Sequence, residues 1–168
     1  LPSAKLEQMQ QFTQQPDCHI VTIADAHYPP LLRTAICPPW LLYVKGQLSA
    51  LSVKSCAIVG SRQPSASAFE WAFRFAKQLG EAGLAIVSGL AIGVDGQAHR
   101  GALASLSPTI GVLAGGIDIM YPKRHQLLAE RIQEQGCLVS EHPPGTLILP
   151  FRFPQRNRIL TGIAAGLL

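Results

Sequence analysis

Aromatic rings and arginines alternate near the C-terminal end of this 168-residue sequence, in a stretch that contains two prolines. The residues are Phe151, Arg152, Phe153, Arg156, Asn157 and Arg158. A ring can stack on a nucleobase and an arginine can pair with a phosphate, which are the two contributions that single-strand binding combines. The rings could instead belong to the core, and the arginines to a solvated helix start near Arg156. Because arginines at a helix start oppose the dipole unless an anion is bound, the pattern favours nucleic-acid binding.

Three predicted strands end in small residues that are suited to anion binding. The residues are Gly60, Ser61 and Arg62 after the first strand, Ser88, Gly89 and Gly93 after the second, and Gly115 and Gly116 after the third. Glycine lets backbone N–H groups approach a phosphate, and a helix that starts just beyond adds a favourable dipole. Arg62 would add a fixed positive charge, and the hydroxyls of Ser61, Ser65 and Ser88 could donate to phosphate oxygens. Glycines here could merely make tight turns, but three such loops at one sheet edge favour an anion site.

The nucleotide motifs narrow the choice of anion. Gly60 is followed by Ser61 and Arg62, so the first loop lacks the G-x-G-x-x-G pattern, and the second strand ends at Ser88 without an acidic residue for a ribose. No G-K-[ST] phosphate-binding loop occurs in the sequence. Both NAD-dependent chemistry and ATP hydrolysis are therefore disfavoured, and we expect no cofactor.

Two polar pairs could suggest catalysis or metal binding. Asp95 and His99 lie four residues apart on a predicted helix, and Glu141 precedes His142 after a predicted strand. Catalysis needs convergent geometry, so we favour a structural role in which Asp95 caps the helix or anchors the 89–93 loop while His99 bonds locally. Nothing nearby completes a metal set, and we expect neither catalytic residues nor a metal.

Regular elements must position these loops, and the apolar pattern predicts them. Short, continuous apolar runs predict buried strands, and helical spacing of apolar residues predicts the segments between them. The strands are expected at 56–59, 84–87, 109–113 and 137–140, and the helices from about 65 to 82, from about 94 to 105, near 125–135 and from near 156. In the first helix, Phe69, Ala72, Phe73, Ala76 and Leu79 would line one face. Alternating strands and helices predict an α/β fold, a doubly wound, mostly parallel, Rossmann-like sheet.

The pattern divides the chain at residue 46. Residues 1–46 predict an N-terminal helix at 3–15 and an extended lead-in that ends in a short strand and a turn at Gly46. Residues 47–168 form the Rossmann-like core. The last residues, 166–168, resemble the approach to another buried strand, so we expect the core to be incomplete at its C-terminal end.

Composition limits the class of protein. With 48% hydrophobic and 14% charged residues the chain is globular, and its net charge of +4 is compatible with an anionic partner. No apolar run is long enough for a bilayer and no signal peptide is evident, so we expect no membrane association. Four scattered cysteines without a C-x-x-C pair favour a reduced, cytoplasmic protein.

An ordered series of motifs resembles the DprA/Smf family of DNA-processing proteins. The series consists of Tyr28 with Pro29, the segment 41–46, the segment 57–62 with Ser65, the segment 87–95, Ala98 with His99, the segments 101–103 and 112–118, Tyr121 with Pro122, Ser140 with Glu141, the segment 143–145, and Phe153 and Pro154 with the segment 156–158. Each motif is weak by itself, whereas the ordered set is highly specific and covers about residues 20–168. The resemblance implies that 47–168 is a DNA-binding core.

The resemblance also implies a function. Members of the family bind single-stranded DNA, help to load the recombinase RecA in recombination and natural transformation, usually form homodimers, and have no established catalytic activity. By this resemblance Arg62 would grip a phosphate, the 88–93 loop with Gly115 and Gly116 would line the pocket, and Phe153 would stack a base. The family often has a lysine where this sequence has Pro150, so either Arg152 replaces it or the affinity is lower.

Two alternatives remain open at the level of sequence. A nucleotide-binding enzyme that resembles the phosphoribohydrolases would need a P-G-G-x-G-T loop with a nearby glutamate. The sequence has only a fragment of that loop, Pro144-Gly145-Thr146. A scaffold for protein partners is the other alternative, and it predicts no salt-sensitive DNA binding.

Overall fold

The strands of the computed structural model, which describes the backbone of residues 3–168 and side chains from residue 6 onward, form one mixed sheet. They are β1 (Cys18–Thr22), β2 (Leu41–Gly46), β3 (Ser55–Ala57), β4 (Ala85–Ser88), β5 (Thr109–Val112), β6 (Cys137–Ser140) and β7 (Gly166–Leu167). Their order is β1-β2-β6-β5-β4-β3-β7. The five strands from β6 to β7 are parallel, whereas β2 is antiparallel to both β6 and β1.

Helices cover both faces of this sheet. They are α1 (Ser3–Thr13), α2 (Pro30–Arg33), α3 (Ala66–Glu81), α4 (Val94–Ala104), α5 (Gln126–Gln135) and α6 (Arg152–Ile163), and 3₁₀ turns occupy Leu48–Ser52 and Lys123–His125. On one face, Ile159 of α6 and Leu32 of α2 join a cluster with Ile110 and Val139. On the opposite face, α1 and α5 pack against β6, and α3 and α4 against β4. The predicted doubly wound α/β fold is confirmed.

Burial on both sheet faces explains the continuous apolar runs. Every residue of β4, β5 and β6 is buried, as expected for central parallel strands under helices. The predicted β6 matches the observed strand at both ends. The first strand is predicted at 56–59, whereas β3 spans Ser55–Ala57 and so ends two residues earlier. The backbone N–H groups of Ile58 and Val59 still donate to the carbonyls of Val87 and Leu168 on the neighbouring segments.

Helix α3 begins as predicted because Ser65 caps it. The Ser65 hydroxyl accepts a hydrogen bond of 3.2 Å from the backbone N–H of Ala68, which satisfies a donor of the first turn. Ala72 and Ala76 are both buried, and Ala76 packs in a cluster with residues of α4 and β4. Phe69 departs from the predicted apolar face, because 44% of it is exposed to solvent.

Helix α6 begins four residues earlier than predicted. The sequence predicts a start near Arg156, whereas the helix runs from Arg152. Pro154 lies in its first turn, where the missing N–H would have no intrahelical partner anyway, so proline does not delay the start. Arg156 is therefore inside the helix, and the dipole argument applies to Arg152 instead.

The two ends of the chain join the same sheet. Strands β1 and β2 extend it beyond β6, so the lead-in contains two strands and the short helix α2. Strand β7 pairs with β3, and both of its residues are exposed, in contrast to the buried strand expected there. The division at residue 46 and the incompleteness of the core stay predictions. None of the helices between residues 3 and 168 has the length and apolar character needed to cross a bilayer.

Candidate nucleic-acid interface

Three loops lie side by side at the carboxyl edge of the sheet. Strands β5, β4 and β3 are neighbours and parallel, so the segments that follow them leave the sheet at the same edge. From β3 the chain continues through β4 to β6 in one direction, whereas β7 lies on the other side of β3. The strand order therefore reverses at β3, and the carboxyl end of β3 is the topological switch point, where doubly wound sheets bind ligands. The loop at residues 60–62 is therefore at the expected position for a ligand.

Asp95, in the first turn of α4, holds the first two loops together. Its carboxylate accepts hydrogen bonds from the backbone N–H groups of Gly60 (3.4 Å) and Gly89 (3.1 Å). Burial raises the pKa of the Asp95 carboxyl, while the Arg156 guanidinium and the backbone donors oppose that shift. The prediction that Asp95 anchors the 89–93 loop is confirmed.

Gly93 allows these two loops to touch. Its φ of +90° lies in a region that glycine occupies readily, and a Cβ at this position would clash with the carbonyl oxygen of Ser61. That same carbonyl accepts a hydrogen bond of 3.2 Å from the N–H of Val94. The loops after β3 and β4 therefore form one continuous wall.

Arg156 supports this wall from below. Only 6% of the residue is exposed, and its guanidinium donates to the carbonyls of Gly89 (2.8 Å) and Val112, which follow or end β4 and β5. A Cβ on Gly89 would clash with that guanidinium, so only glycine allows this approach. Burial lowers the pKa of Arg156, and Asp95 partly offsets the shift. The geometry gives Arg156 a supporting role, and a direct phosphate contact by this residue stays a prediction.

The other two arginines of the aromatic segment are also engaged within the protein. Arg158 pairs with Glu141, which follows β6. Arg152 donates to the carbonyl of Leu147, and its guanidinium carbon lies 5.7 Å from the centre of the Phe151 ring. Asn157 is exposed and accepts a hydrogen bond of 3.3 Å from Nε of Arg156.

A small cleft opens where the wall meets the start of α6. The guanidinium carbon of Arg62 lies 5.0 Å from the centre of the Phe153 ring, and the Tyr121 ring lies 6.0 Å from the same ring. The cleft has a volume of about 50 Å³ and is lined by Arg62, Gly89, Ala91, Ile92, Tyr121, Pro122 and Phe153. Arg62 is exposed and forms no ion pair with a carboxylate of the described chain. A free cation and two aromatic rings thus converge at one point of the sheet edge.

Several predicted site residues lie outside this cleft. The hydroxyl of buried Ser88 donates to the carbonyl of Ile58 at 2.5 Å, so its hydrogen is not available to a phosphate in this conformation. Ser65 caps α3, and Ser61 accepts a hydrogen bond from the N–H of Gln63 at 3.0 Å.

Gly115 and Gly116 are separated from the cleft by another loop. Both are buried, and the N–H of Gly116 donates to the carbonyl of Thr146 at 2.8 Å. A Cβ on Gly115 would approach the Ile148 side chain to 2.5 Å. The segment 143–148 therefore covers the third loop, which the family resemblance predicts to line the pocket.

Tyr121 is the aromatic residue of the cleft that is absent from the predicted site residues, as are Ala91, Ile92 and Pro122. It is 52% exposed, and its ring is tilted by 58° from the Phe153 ring. The sequence places it after Ile119 and Met120, so local pattern gives no reason to separate it from the core. Only its exposure beside a second ring indicates a binding role.

The acid–base candidates have local roles. Nδ1 of His99 lies 2.8 Å from the hydroxyl oxygen of Thr109, which itself donates to the carbonyl of Ile86, so His99 is the donor in this pair. Burial and nearby positive charges lower the pKa of His99 to about 3, and its imidazole is neutral at physiological pH. Between residues 3 and 168 no group of three or more His, Cys, Asp or Glu side chains is arranged to hold a metal ion.

Fold and site together define a class of protein. It is a doubly wound α/β protein in which an exposed arginine and two aromatic rings converge at the carboxyl edge of the sheet. Such an edge can contact phosphates and bases at once.

The chain belongs to the DNA recombination-mediator protein A family, whose sequence model matches residues 19–168. It is 39% identical to the protein Smf of Escherichia coli over 168 residues, which cover 99% of this chain and 45% of the relative. It is 37% identical to the DNA processing protein DprA of Bacillus subtilis over 149 residues, 88% of this chain and 50% of the relative. The chain thus spans about half the length of the curated relatives it matches.

Solved structures support the same assignment. The DNA processing protein DprA of Streptococcus pneumoniae superposes with a TM-score of 0.88 at 36% identity, covering 99% of this chain and 57% of that one. A structure of the Helicobacter pylori protein, determined to describe its single-stranded DNA binding mode, superposes with a TM-score of 0.79 at 27% identity, covering 89% and 67%.

Proposed function

We propose that this chain binds single-stranded DNA at the cleft between the 60–62 loop, the 89–93 loop and the start of α6. The observation that carries the proposal is the convergence of Arg62 on the Phe153 ring at 5.0 Å beside Tyr121. The relative from Helicobacter pylori, a structure of which describes its single-stranded DNA binding mode, supports this choice of ligand.

The size of the cleft indicates how a strand would bind. At about 50 Å³ it is too small to enclose a nucleobase, so the strand would lie across its mouth. Arg62 is exposed and can swing from the Phe153 ring to a phosphate at little cost, which would free the ring face for a base. Stacking and phosphate pairing would then act on neighbouring parts of one nucleotide.

The rest of the proposed function follows from the family. We propose that the whole protein assists RecA loading in recombination and DNA uptake, acts in the cytoplasm and forms a homodimer. We also propose that it is not an enzyme. Asp95 is engaged by the backbone of two loops and the pKa of His99 is lowered to about 3, so neither is suited to acid–base work at neutral pH.

The structure does not favour the phosphoribohydrolase alternative. The glycines that would bind a ribose phosphate, Gly115 and Gly116, lie beneath the segment that contains Pro144, Gly145 and Thr146. A mononucleotide would need to displace that segment to reach them.

A binding titration tests the proposal. Fluorescence anisotropy of a labelled oligothymidylate, with a duplex of the same length as control, would be measured at several salt concentrations. We expect the single strand to bind more tightly than the duplex, with log affinity falling linearly against log salt as counterions are released. Absence of salt-sensitive binding to the single strand would overturn the proposal.

A further inference from the structure

A second group of basic side chains lies beside the cleft, on α4 and on the turn Lys123–His125. Nη1 of Arg100 and Nε2 of His125 both lie 3.1 Å from the position that a Cβ on Gly96 would occupy. The two side chains therefore pack over the first turn of α4. Arg124 is adjacent to His125 in the chain; burial lowers the pKa of Arg100, and the charge of Arg124 adds to that shift. We call Arg100, Arg124 and His125 the basic cluster.

The basic cluster lacks a nearby counter-charge. Arg100 and Arg124 form no ion pair with any carboxylate of the described chain, whereas Arg74, Lys77 and Arg158 each do. Asp95 is the acidic group that faces His125, but its carboxylate is buried and already bonded to backbone N–H groups. Neighbouring like charges repel each other, and a bound anion would relieve that repulsion.

The basic cluster is continuous with the cleft. Pro122, which lines the cleft, directly precedes the Lys123–His125 turn. Nδ1 of His125 lies 2.9 Å from the carbonyl oxygen of Leu90, a residue that lies between the cleft residues Gly89 and Ala91. A chain that leaves the cleft past Tyr121 and Pro122 would meet Arg124 and Arg100 next.

We propose that Arg100 and Arg124 bind a further phosphate of the strand that occupies the cleft, so that the DNA path continues over Tyr121 and Pro122 onto the basic cluster. This inference rests on the proposed function. The two guanidinium groups can hold a phosphodiester anion between them. A DNA strand that is anchored in the cleft would present its next phosphate to them at high local concentration.

Oligonucleotide length separates this contact from the cleft. The double variant Arg100→Ala/Arg124→Ala and the wild-type protein would each be titrated with oligothymidylates of about 4 and about 16 nucleotides. These two lengths span the site sizes that are common for single-strand binding. We expect the double variant to bind the long strand at least severalfold more weakly, with the slope of log affinity against log salt reduced by about 0.7, the single-strand value for one phosphate. Binding of the short strand should be unchanged.

Control variants make the outcome specific. Lys54→Ala with Lys77→Ala removes the same charge from the opposite end of the sheet, before β3 and late in α3, and should leave the long-strand affinity near that of wild type. Arg124→Glu changes an exposed side chain alone, and should weaken long-strand binding without lowering the melting temperature. Wild-type affinity and slope of the folded variants on the long strand would overturn the inference, as would an equal loss on both lengths. Failure of the wild-type chain to bind either length would overturn the proposed function instead.

Discussion

Burial divides the arginines around the cleft into two roles. Arg62 is exposed, lies against the Phe153 ring and is free to move toward a ligand. Arg156 is 6% exposed and is fixed between two backbone carbonyls. A guanidinium that already satisfies buried carbonyls cannot leave them for a phosphate without a cost, since unpaired buried acceptors are unfavourable. We therefore expect the affinity for single-stranded DNA to depend on Arg62 and the stability of the fold to depend on Arg156.

Replacing Arg62 tests the phosphate contact. Arg62→Ala should weaken single-strand binding by about 1–3 kcal/mol, the range for a charge-assisted hydrogen bond, and reduce the salt slope by up to about 0.7. The melting temperature should not change, because the side chain is exposed. Anisotropy titrations at several salt concentrations measure both quantities, with Lys54→Ala as the charge-matched control. A folded Arg62→Ala protein that binds with wild-type affinity would exclude Arg62 from the site.

Replacing Arg156 tests the supporting role. Arg156→Ala leaves the carbonyls of Gly89 and Val112 without donors and Asp95 without its buried counter-charge, so the free energy of unfolding should fall by about 3–5 kcal/mol. Urea denaturation measures this loss. Arg158→Ala, which breaks a partly exposed pair with Glu141, is the comparison and should cost less than about 1 kcal/mol. If the folded Arg156→Ala protein keeps its stability but has a lower salt slope, the residue contacts phosphate directly.

Replacing Phe153 separates stacking from charge. Phe153→Ala should weaken single-strand binding by about 1–3 kcal/mol, the usual contribution of one stacked base, and leave the salt slope nearly unchanged. Phe151→Ala is the matched control, because that ring is 57% exposed and lies outside the cleft. The same titrations decide the question. Equal effects of the two substitutions would show that Phe153 has no special role as a stacking platform.

At the scale of elements, the 89–93 loop is held from three sides. Asp95 of α4 binds its first N–H, Arg156 of α6 binds the carbonyl of Gly89, and His125 binds the carbonyl of Leu90. Leu90 has a φ of 59°, in the left-handed region where a non-glycine residue is strained by about 1–2 kcal/mol. Such strain persists only where the surroundings determine the conformation. Contacts from three elements of the protein itself therefore fix the conformation of this loop.

The contact between α4 and β5 makes stability depend on pH. His99 donates through Nδ1 to Thr109, and its complete burial close to positively charged groups makes protonation of the imidazole unfavourable. Its pKa of about 3 in the folded protein is below the usual 6.5, so the unfolded chain takes up the proton first. Stability should therefore fall as the pH drops from 6.5 toward 3, with His99 contributing up to about 1.4 kcal/mol per pH unit.

Denaturation across this pH range measures the effect. His99→Gln should reduce the slope of unfolding free energy against pH between about 6.5 and 4, whatever its effect on absolute stability. His27→Gln, at an exposed histidine, is the matched control. An unchanged slope in the folded His99→Gln protein would show that this imidazole is not the group that couples folding to protons.

At the scale of the whole molecule, topology brings charge and rings to one edge. The doubly wound order places the loops after β3 and β4 next to each other, and α6 crosses to the other face from a start beside the same edge. Six of the fourteen lysines and arginines lie between residues 123 and 158, in segments that include the turn after β5 and the start of α6. Part of the positive charge of the protein, whose net charge is +4, therefore lies along the proposed path of the DNA strand.

The protein as a whole should turn over no nucleotide. With Asp95 engaged by two loops and His99 neutral, we expect no mutation-sensitive hydrolysis of ATP, AMP or DNA. Chromatographic detection of free adenine and ADP after prolonged incubation tests this, with heat-denatured protein as control. If the wild-type protein released adenine from AMP and the Asp95→Asn variant did not, the phosphoribohydrolase function would be established in place of the proposed one.

Local pattern in the sequence determined the elements and the family. Continuous apolar runs identified β4, β5 and β6 because central parallel strands are covered on both faces, and Ser65 marked the start of α3 because its hydroxyl caps the first turn. The ordered motifs identified the family because they combine many weak local signals. These features depend on residues that are near each other in the chain.

Only the tertiary structure decided which candidate residues face solvent. Arg156 reaches Gly89 across 67 residues and Val112 across 44, and those distant carbonyls fix its guanidinium beneath the two loops. The segment 143–148 covers Gly115 and Gly116, and the exposed Tyr121 meets Phe153 from another loop. Local sequence pattern does not contain these pairings, because burial and exposure at a loop are set by whichever distant segment packs on it.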